Sequence, residues 1–254
     1  MDNLRPTKEQ LVSGFDLFLN KHLKVGDHQV YERWLENEGK ILREKFPYTN
    51  AELLSDEQIG EVFELMGASY GVETTIPDQK KILSFLLDSG ISDKPTLSIG
   101  CGLAPHEIYL ASQGVLSSFA GVDIAQTTLT RAEEIAKEEG VTAQFKKMHG
   151  ADVDFVEEFD QVLSIDSMHW MMRWQANLRG VARALKPGGT FFLVYSPNSP
   201  RIQIDPLRVI ETLTKEGMNV TSTAFMESAI ATPRATVVAK KEEAKSGLIL
   251  LGKF

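Results

Sequence analysis

Two glycines one residue apart, Gly100 and Gly102, close a short apolar run that starts at Pro95, and a second apolar run ends on an acid, Gly121-Val-Asp-Ile124. Glycines in that position let the main chain turn sharply and approach a ligand where any Cβ would collide. A carboxylate at the end of the next strand, here Asp123, can accept both hydroxyl protons of a ribose. Together they describe a nucleotide-type pocket. A third segment of chemical interest is Ile165-Asp-Ser-Met-His-Trp170. Histidine is the side chain best matched to taking a proton near neutral pH, which makes His169 a candidate base, with Asp166 as a partner that orients it or faces the ligand.

The elements that must hold these residues can be read from the hydrophobic period. Strands are expected at 96–99, 119–123, 142–148, 161–165 and 190–195, with helices between them at about 105–113, 127–139 and 173–185. Strands alternating with helices imply a doubly wound, mostly parallel sheet. A further helix at 206–216 and two β-rich stretches, 219–225 and 235–239, follow, the last two close enough to pair antiparallel; this brings the sheet to seven strands. Ligands of such sheets bind at the carboxyl ends of the strands, where Gly100–Gly102, Asp123 and the segment from Ile165 all fall. Before residue 90 the pattern is helical. Apolar residues from Leu11 to Leu23 recur at helical spacing, a second pattern runs from Val30 to Leu42, and Ser55-Asp-Glu-Gln58 has the form of a capping start to a third helix. One more helix is expected from Pro77 to Leu87. The expected organisation is therefore a helical N-terminal cap, 1–90, on an α/β core, 91–254. The apolar end of the tail, Leu248 to Leu251, reads as a further strand or a docking segment.

A dinucleotide-binding turn also needs paired glycines and an acid about twenty residues later. Its third glycine, however, would fall at Pro105, which suits the first turn of a helix rather than close strand–helix packing. The order of the remaining features favours another family. Leu97-Ser-Ile-Gly-Cys-Gly-Leu-Ala104, Asp123, Asp152-Val153, Phe159–Ser164 and Leu185-Lys-Pro-Gly-Gly189 resemble, in this order, the motifs of class I S-adenosylmethionine-dependent methyltransferases, over roughly Leu83 to Ala239. The resemblance implies a Rossmann-like methyltransferase fold and S-adenosyl-L-methionine as cofactor. It implies cofactor contacts from Ser98, Gly100, Cys101, Gly102, Asp123, Ile124 and Ile165, with Asp152 and Val153 meeting the adenine. It also implies that Leu185–Gly189 is the turn into the fifth strand.

Two departures stand out. The acid usually found two positions before the first glycine is Ser98, and the third glycine is Ala104. Alanine excludes only positive-φ conformations, which that position is expected not to need. The implied reaction is in-line methyl transfer to an O, N, S or C atom of a small molecule. The alternatives are a lyase or cyclase use of the same fold and cofactor, motivated by Ser98, and a non-catalytic binding subunit. His169 and Trp170 either serve the acceptor or pack beside the cofactor. Tyr70, Trp170 and Tyr195 are possible substrate contacts. His106 is expected on the surface or in a cap, His149 in a structural role, and Cys101 as a packed side chain without an adjacent base.

Bulk properties narrow the partners. A net charge of -8 without a long basic run lacks the footprint that phosphate-backbone binding requires, so nucleic acid is not expected. No apolar run approaches the ~20 residues of a membrane span. A single cysteine and a polar N-terminus fit a cytoplasmic protein. The histidines are scattered and no Cys or His pair has ligand spacing, so no metal is expected. A monomer or homodimer is the expected state.

Overall fold

The computed structural model describes residues 6–23, 36, 39–41, 44–45, 54–66, 75–199, 201–228 and 233–243. Seven strands form one sheet: β1 (Thr96–Ile99), β2 (Ser118–Asp123), β3 (Thr142–Lys147), β4 (Phe159–Ile165), β5 (Leu185–Tyr195), β6 (Met218–Met226) and β7 (Arg234–Lys241). Their order is β3-β2-β1-β4-β5-β7-β6. The first five are parallel, and β7 runs antiparallel to both β5 and β6. The order reverses between β1 and β4, the position at which such sheets bind ligands.

The helices in chain order are α1 (Lys8–His22), α2 (Asp56–Met66), α3 (Ile76–Asp88), α4 (Pro105–Ser112), α5 (Gln126–Glu138), α6 (Trp174–Ala184) and α7 (Pro206–Lys215). Local chemistry sets their starts. Thr7 and Gln10 form a capping box on α1. On α2, Gln58 N donates to Ser55 Oγ at 3.2 Å and Ser55 N to Gln58 Oε1 at 2.9 Å, the reciprocal pair anticipated from the sequence. Helix α5 starts at Ala125, which has no capping side chain of its own. Glu64 of α2 supplies one instead, accepting from Gln126 N at 2.7 Å and Thr127 N at 2.9 Å. Lys147 donates to the same carboxylate at 2.7 Å. Burial would raise the Glu64 carboxyl, yet these donors outweigh it and hold it down at about 2.

Strand alternation divides the core. Leu163, Phe192, Val194 and Val238 face a cluster with α1, α3, α4 and α5, whereas Val162, Phe191, Leu193 and Tyr195 face α6 and α7. Helices α1 and α3 thus share the apolar cluster of the sheet. Helix α2 belongs to a separate small cluster, in which Leu54, Ile59, Val62, Phe63 and Met66 meet Ala125, Ile124 and Trp170.

Two local expectations are corrected. Pairing in β5 already begins with Leu185 opposite Phe159, with an irregularity before Thr190, so Leu185–Gly189 is a kinked strand start with Gly188 at φ 77°. Ala104 does adopt the left-handed conformation, at φ 50° and ψ 45°, because the chain must reverse from the glycine turn into α4. The expected helix between Val30 and Leu42 falls largely outside the described residues. Leu248–Leu251 and Tyr70 lie wholly outside them.

Candidate active site

The turn after β1 is built from the main chain. Gly100 N and Cys101 N both donate to Val122 O, at 2.8 and 3.1 Å, and Ala104 N donates to Cys101 O at 2.7 Å. Gly100 has φ 64°, and a Cβ there would lie 2.4 Å from Ser167 Cβ, so only glycine fits. Gly102 has φ 53°, and a Cβ there would meet nothing within 4 Å; its face is open to the cleft. Asp123 locks the turn. Its Oδ2 accepts from Gly102 N at 2.9 Å and its Oδ1 from Ala125 N at 3.0 Å. Burial pushes its carboxyl above the usual range, and these backbone donors partly offset that.

The cleft around this turn encloses about 990 Å³ of space, its open mouth included. Of the residues expected to hold the cofactor, Ser98, Gly100, Cys101, Gly102, Asp123, Ile124 and Ile165 all line it. Asp152 and Val153 are not among the lining residues. Asp152 makes a two-pronged pair with Arg173, at 2.8 and 3.1 Å, and Val153 is fully buried beneath α6, close to Gly180. Met148, His149 and Gly150, just before them in the chain, do line it.

The candidate catalytic residues separate. Asp166 lines the cleft and sits at φ 49°; its two carboxylate oxygens accept from Arg234 Nε at 2.8 and 2.9 Å. His169 is buried and is not a lining residue. Its Nδ1 accepts from Ser196 N at 3.3 Å, and burial pushes its pKa down to about 4, so the ring is neutral. Trp170, its neighbour in the short 3-10 turn Met168–Trp170, does line the cleft and meets Phe63 of α2 edge to face at 5.5 Å. Tyr195 is fully buried in the cluster under α6 and α7 and is not among the lining residues.

Sequence reasoning did not single out Asp56, Ile59, Phe63, Gln79, Glu107 or Met171, all of which line the cleft. His106, expected on the surface or in a cap, is 2% exposed and also lines it. Its Nε2 lies 3.2 Å from Gln79 O and therefore carries the proton as donor; burial holds its pKa down at about 4. Asp56 is the anchor of the roof. It accepts from Met172 N at 2.7 Å, lies 3.3 Å from His149 Nε2, and pairs at 3.3 Å with the buried Arg201. Arg201 Nε in turn donates to Trp170 O at 2.8 Å. A signal for these was present only in part: the capping box fixed where α2 starts, but not what lies beneath it.

Glu107 is 2% exposed, and its Oε1 accepts from Ser98 Oγ at 2.5 Å. Burial raises its carboxyl, with Ser98 and its own amide acting in the opposite direction. Cys101 is buried, and its thiol is pushed well up, first by burial and then by Asp123 and Glu107. Among the described residues no group of three His, Cys, Asp or Glu is placed to hold a metal ion, and no helix is long and apolar enough to cross a membrane.

A glycine turn locked by a strand-end acid, beside an open Gly102, lies at the reversal of a 3-2-1-4-5-7-6 sheet of the Rossmann-like methyltransferase fold. Residues 97–193 match the family model described as a methyltransferase domain. This segment, less than half of the chain, carries the likeness to class I S-adenosylmethionine-dependent methyltransferases, whose cofactor is S-adenosylmethionine. Among curated proteins the chain is 30% identical over 115 residues to the fatty-acid O-methyltransferase of Mycolicibacterium smegmatis, a match spanning 45% of this chain and 40% of that protein. Solved structures share the fold. The [4+2]-cyclase SpnF superposes with a TM-score of 0.64 at 14% identity, over 75% of this chain and 97% of its own. Magnesium protoporphyrin IX methyltransferase from Synechocystis, solved with bound SAH, gives 0.56 at 16% identity, over 65% and 82%.

Proposed function

We propose that this protein transfers the methyl group of S-adenosylmethionine to a small-molecule acceptor, and that a fatty-acid carboxylate is the acceptor to test first. The observation that carries the reaction class is the open face of Gly102 beside the Asp123 carboxylate. A main chain without Cβ there leaves room for the adenosyl group, and the free lone pairs of Asp123 suit its ribose hydroxyls. The cofactor supplies an electrophilic methyl on a sulfonium. The chain's own contribution is placement: Ile59 and Phe63 from the roof, with Trp170 and Met171 from the segment after β4, wall the cleft with apolar side chains. A dry, close-fitting site accelerates an in-line displacement chiefly by holding the reacting atoms at near-attack distance.

The choice of a carboxylate acceptor draws on the fatty-acid O-methyltransferase relative. It also agrees with the histidines. A carboxylate is already deprotonated at neutral pH, so its methylation needs no proton removed, and neither His106 nor the off-cleft His169 has to act as a base. Incubation of the protein with S-adenosylmethionine and a series of fatty acids of different length, followed by mass spectrometry, tests the reading. The expected products are S-adenosylhomocysteine and a methyl ester in equal amounts. Release of no S-adenosylhomocysteine with any carboxylate, alcohol, amine or thiol acceptor would reject methyl transfer.

A further inference from the structure

We propose that Glu107, held by Ser98, is the anion that receives the ammonium group of the cofactor's amino-acid end, so that in this chain the acid has moved from the strand to the helix beyond the turn. The proposal rests on the cofactor assignment above. Four carboxylates line the cleft: Asp56, Glu107, Asp123 and Asp166. Two are already paired with cations, and a third is engaged by the turn and assigned above to the ribose. Asp56 has His149, Arg201 and the Met172 amide, Asp123 has two backbone amides, and Asp166 has Arg234. Glu107 has Ser98 and, among the described residues, no cation as an ion-pair partner.

A buried carboxylate without a counterion is costly, by several kcal/mol in general. Here the geometry keeps it ready for one. Glu107 lies in the first turn of α4, where the helix dipole favours negative charge. Ser98, on β1, is 1% exposed and aims its hydroxyl at Glu107 across the turn. The serine that stands where the motif has an acid therefore orients a carboxylate arriving from nine positions further along the chain. The cleft regains one negative charge, at a slightly different origin. A positively charged amino group entering beside Gly100 is the partner that satisfies it.

The test uses two neutral thioether nucleosides that differ in the amino-acid end, S-adenosylhomocysteine and 5′-methylthioadenosine, with binding to the full chain measured by calorimetry. Glu107→Gln should weaken S-adenosylhomocysteine by about tenfold to a hundredfold, the range for losing a hydrogen bond to a charged group, and leave 5′-methylthioadenosine within about twofold. Equal losses for both ligands, or no loss for either, would overturn the assignment. Failure of the unaltered protein to bind either nucleoside would instead remove the cofactor reading beneath it. If the variant does not fold, the unaltered protein decides: its preference for S-adenosylhomocysteine should decline as pH falls through the raised Glu107 value. A preference that stays constant down to about pH 4, the ordinary carboxylate range, would reject the proposal.

Discussion

Asp123 Oδ2 and the amide of Gly102 are 2.9 Å apart, so the acid at the end of β2 fixes the turn that follows β1. One carboxylate both shapes the cradle and lines the cleft beside it. Asp123→Ala should therefore lower affinity for S-adenosylmethionine by ~1–3 kcal/mol, the cost of a lost charged hydrogen bond, and should weaken 5′-methylthioadenosine to a similar degree. Calorimetry with both ligands checks this.

Asp56 ties the roof down. Burial alone would raise its carboxyl, but hydrogen bonds from His149, Met172 N and Arg173 N hold it well below the usual range. A depressed carboxyl contributes stability that is complete above the unfolded value, near pH 4, and is lost as pH falls further through the folded value. Asp56→Asn should flatten the acid side of the stability profile. It should also break the buried pair between Asp56 and Arg201, at a cost of about 3–5 kcal/mol by analogy with other broken buried pairs. Urea unfolding at pH 7 and at pH 3.5 measures both effects.

Histidine gives a second, separate pH effect. His106 and His169 are held at about 4 by burial, against about 6.5 in an unfolded chain. Above pH 6.5 both states are neutral and neither residue tilts the balance. Between about 6.5 and 4 the unfolded chain binds protons that the folded one refuses, so stability falls as pH falls. His169→Gln should reduce that slope in urea titrations between pH 7.5 and 5, with catalytic turnover at pH 7.5 largely kept if the ring is off the reaction path.

Ala104 stores backbone strain in the left-handed region. Glycine would release about 1–2 kcal/mol and give up one buried methyl, worth about 0.8 kcal/mol. Ala104→Gly should thus raise stability by no more than about 1 kcal/mol, and Ala104→Val should lower it clearly, since a branched Cβ is a poor fit to positive φ. Thermal melts of the two variants decide it.

The parts of the site that follow from local pattern were legible. Gly100, Gly102 and Asp123 are set by a strand–turn–helix unit whose spacing is fixed, and the ends of β1 and β2 fell where alternation put them. Tyr195 has the same parity as Phe191 and Leu193, and parity sends it under α6 and α7 with them, away from the cleft. His169 and Trp170 are adjacent in a single 3-10 turn, which points them in different directions, and composition cannot say which one meets the cleft. Glu107 and Asp56 were illegible for another reason. Their partners, Ser98 for one and Arg201 for the other, are reached through space, across a turn in the first case and across 145 residues in the second.

The lone sulfhydryl of the 254 residues, Cys101, occupies the middle of the glycine turn, and its resistance to ionisation follows from its surroundings. A thiol-selective reagent can therefore modify the molecule at one point only, and slowly, since the thiol resists ionisation. Because that thiol also lines the cleft, a molecule filling the cradle should slow the single modification, and the rate reads occupancy without label, tag or acceptor.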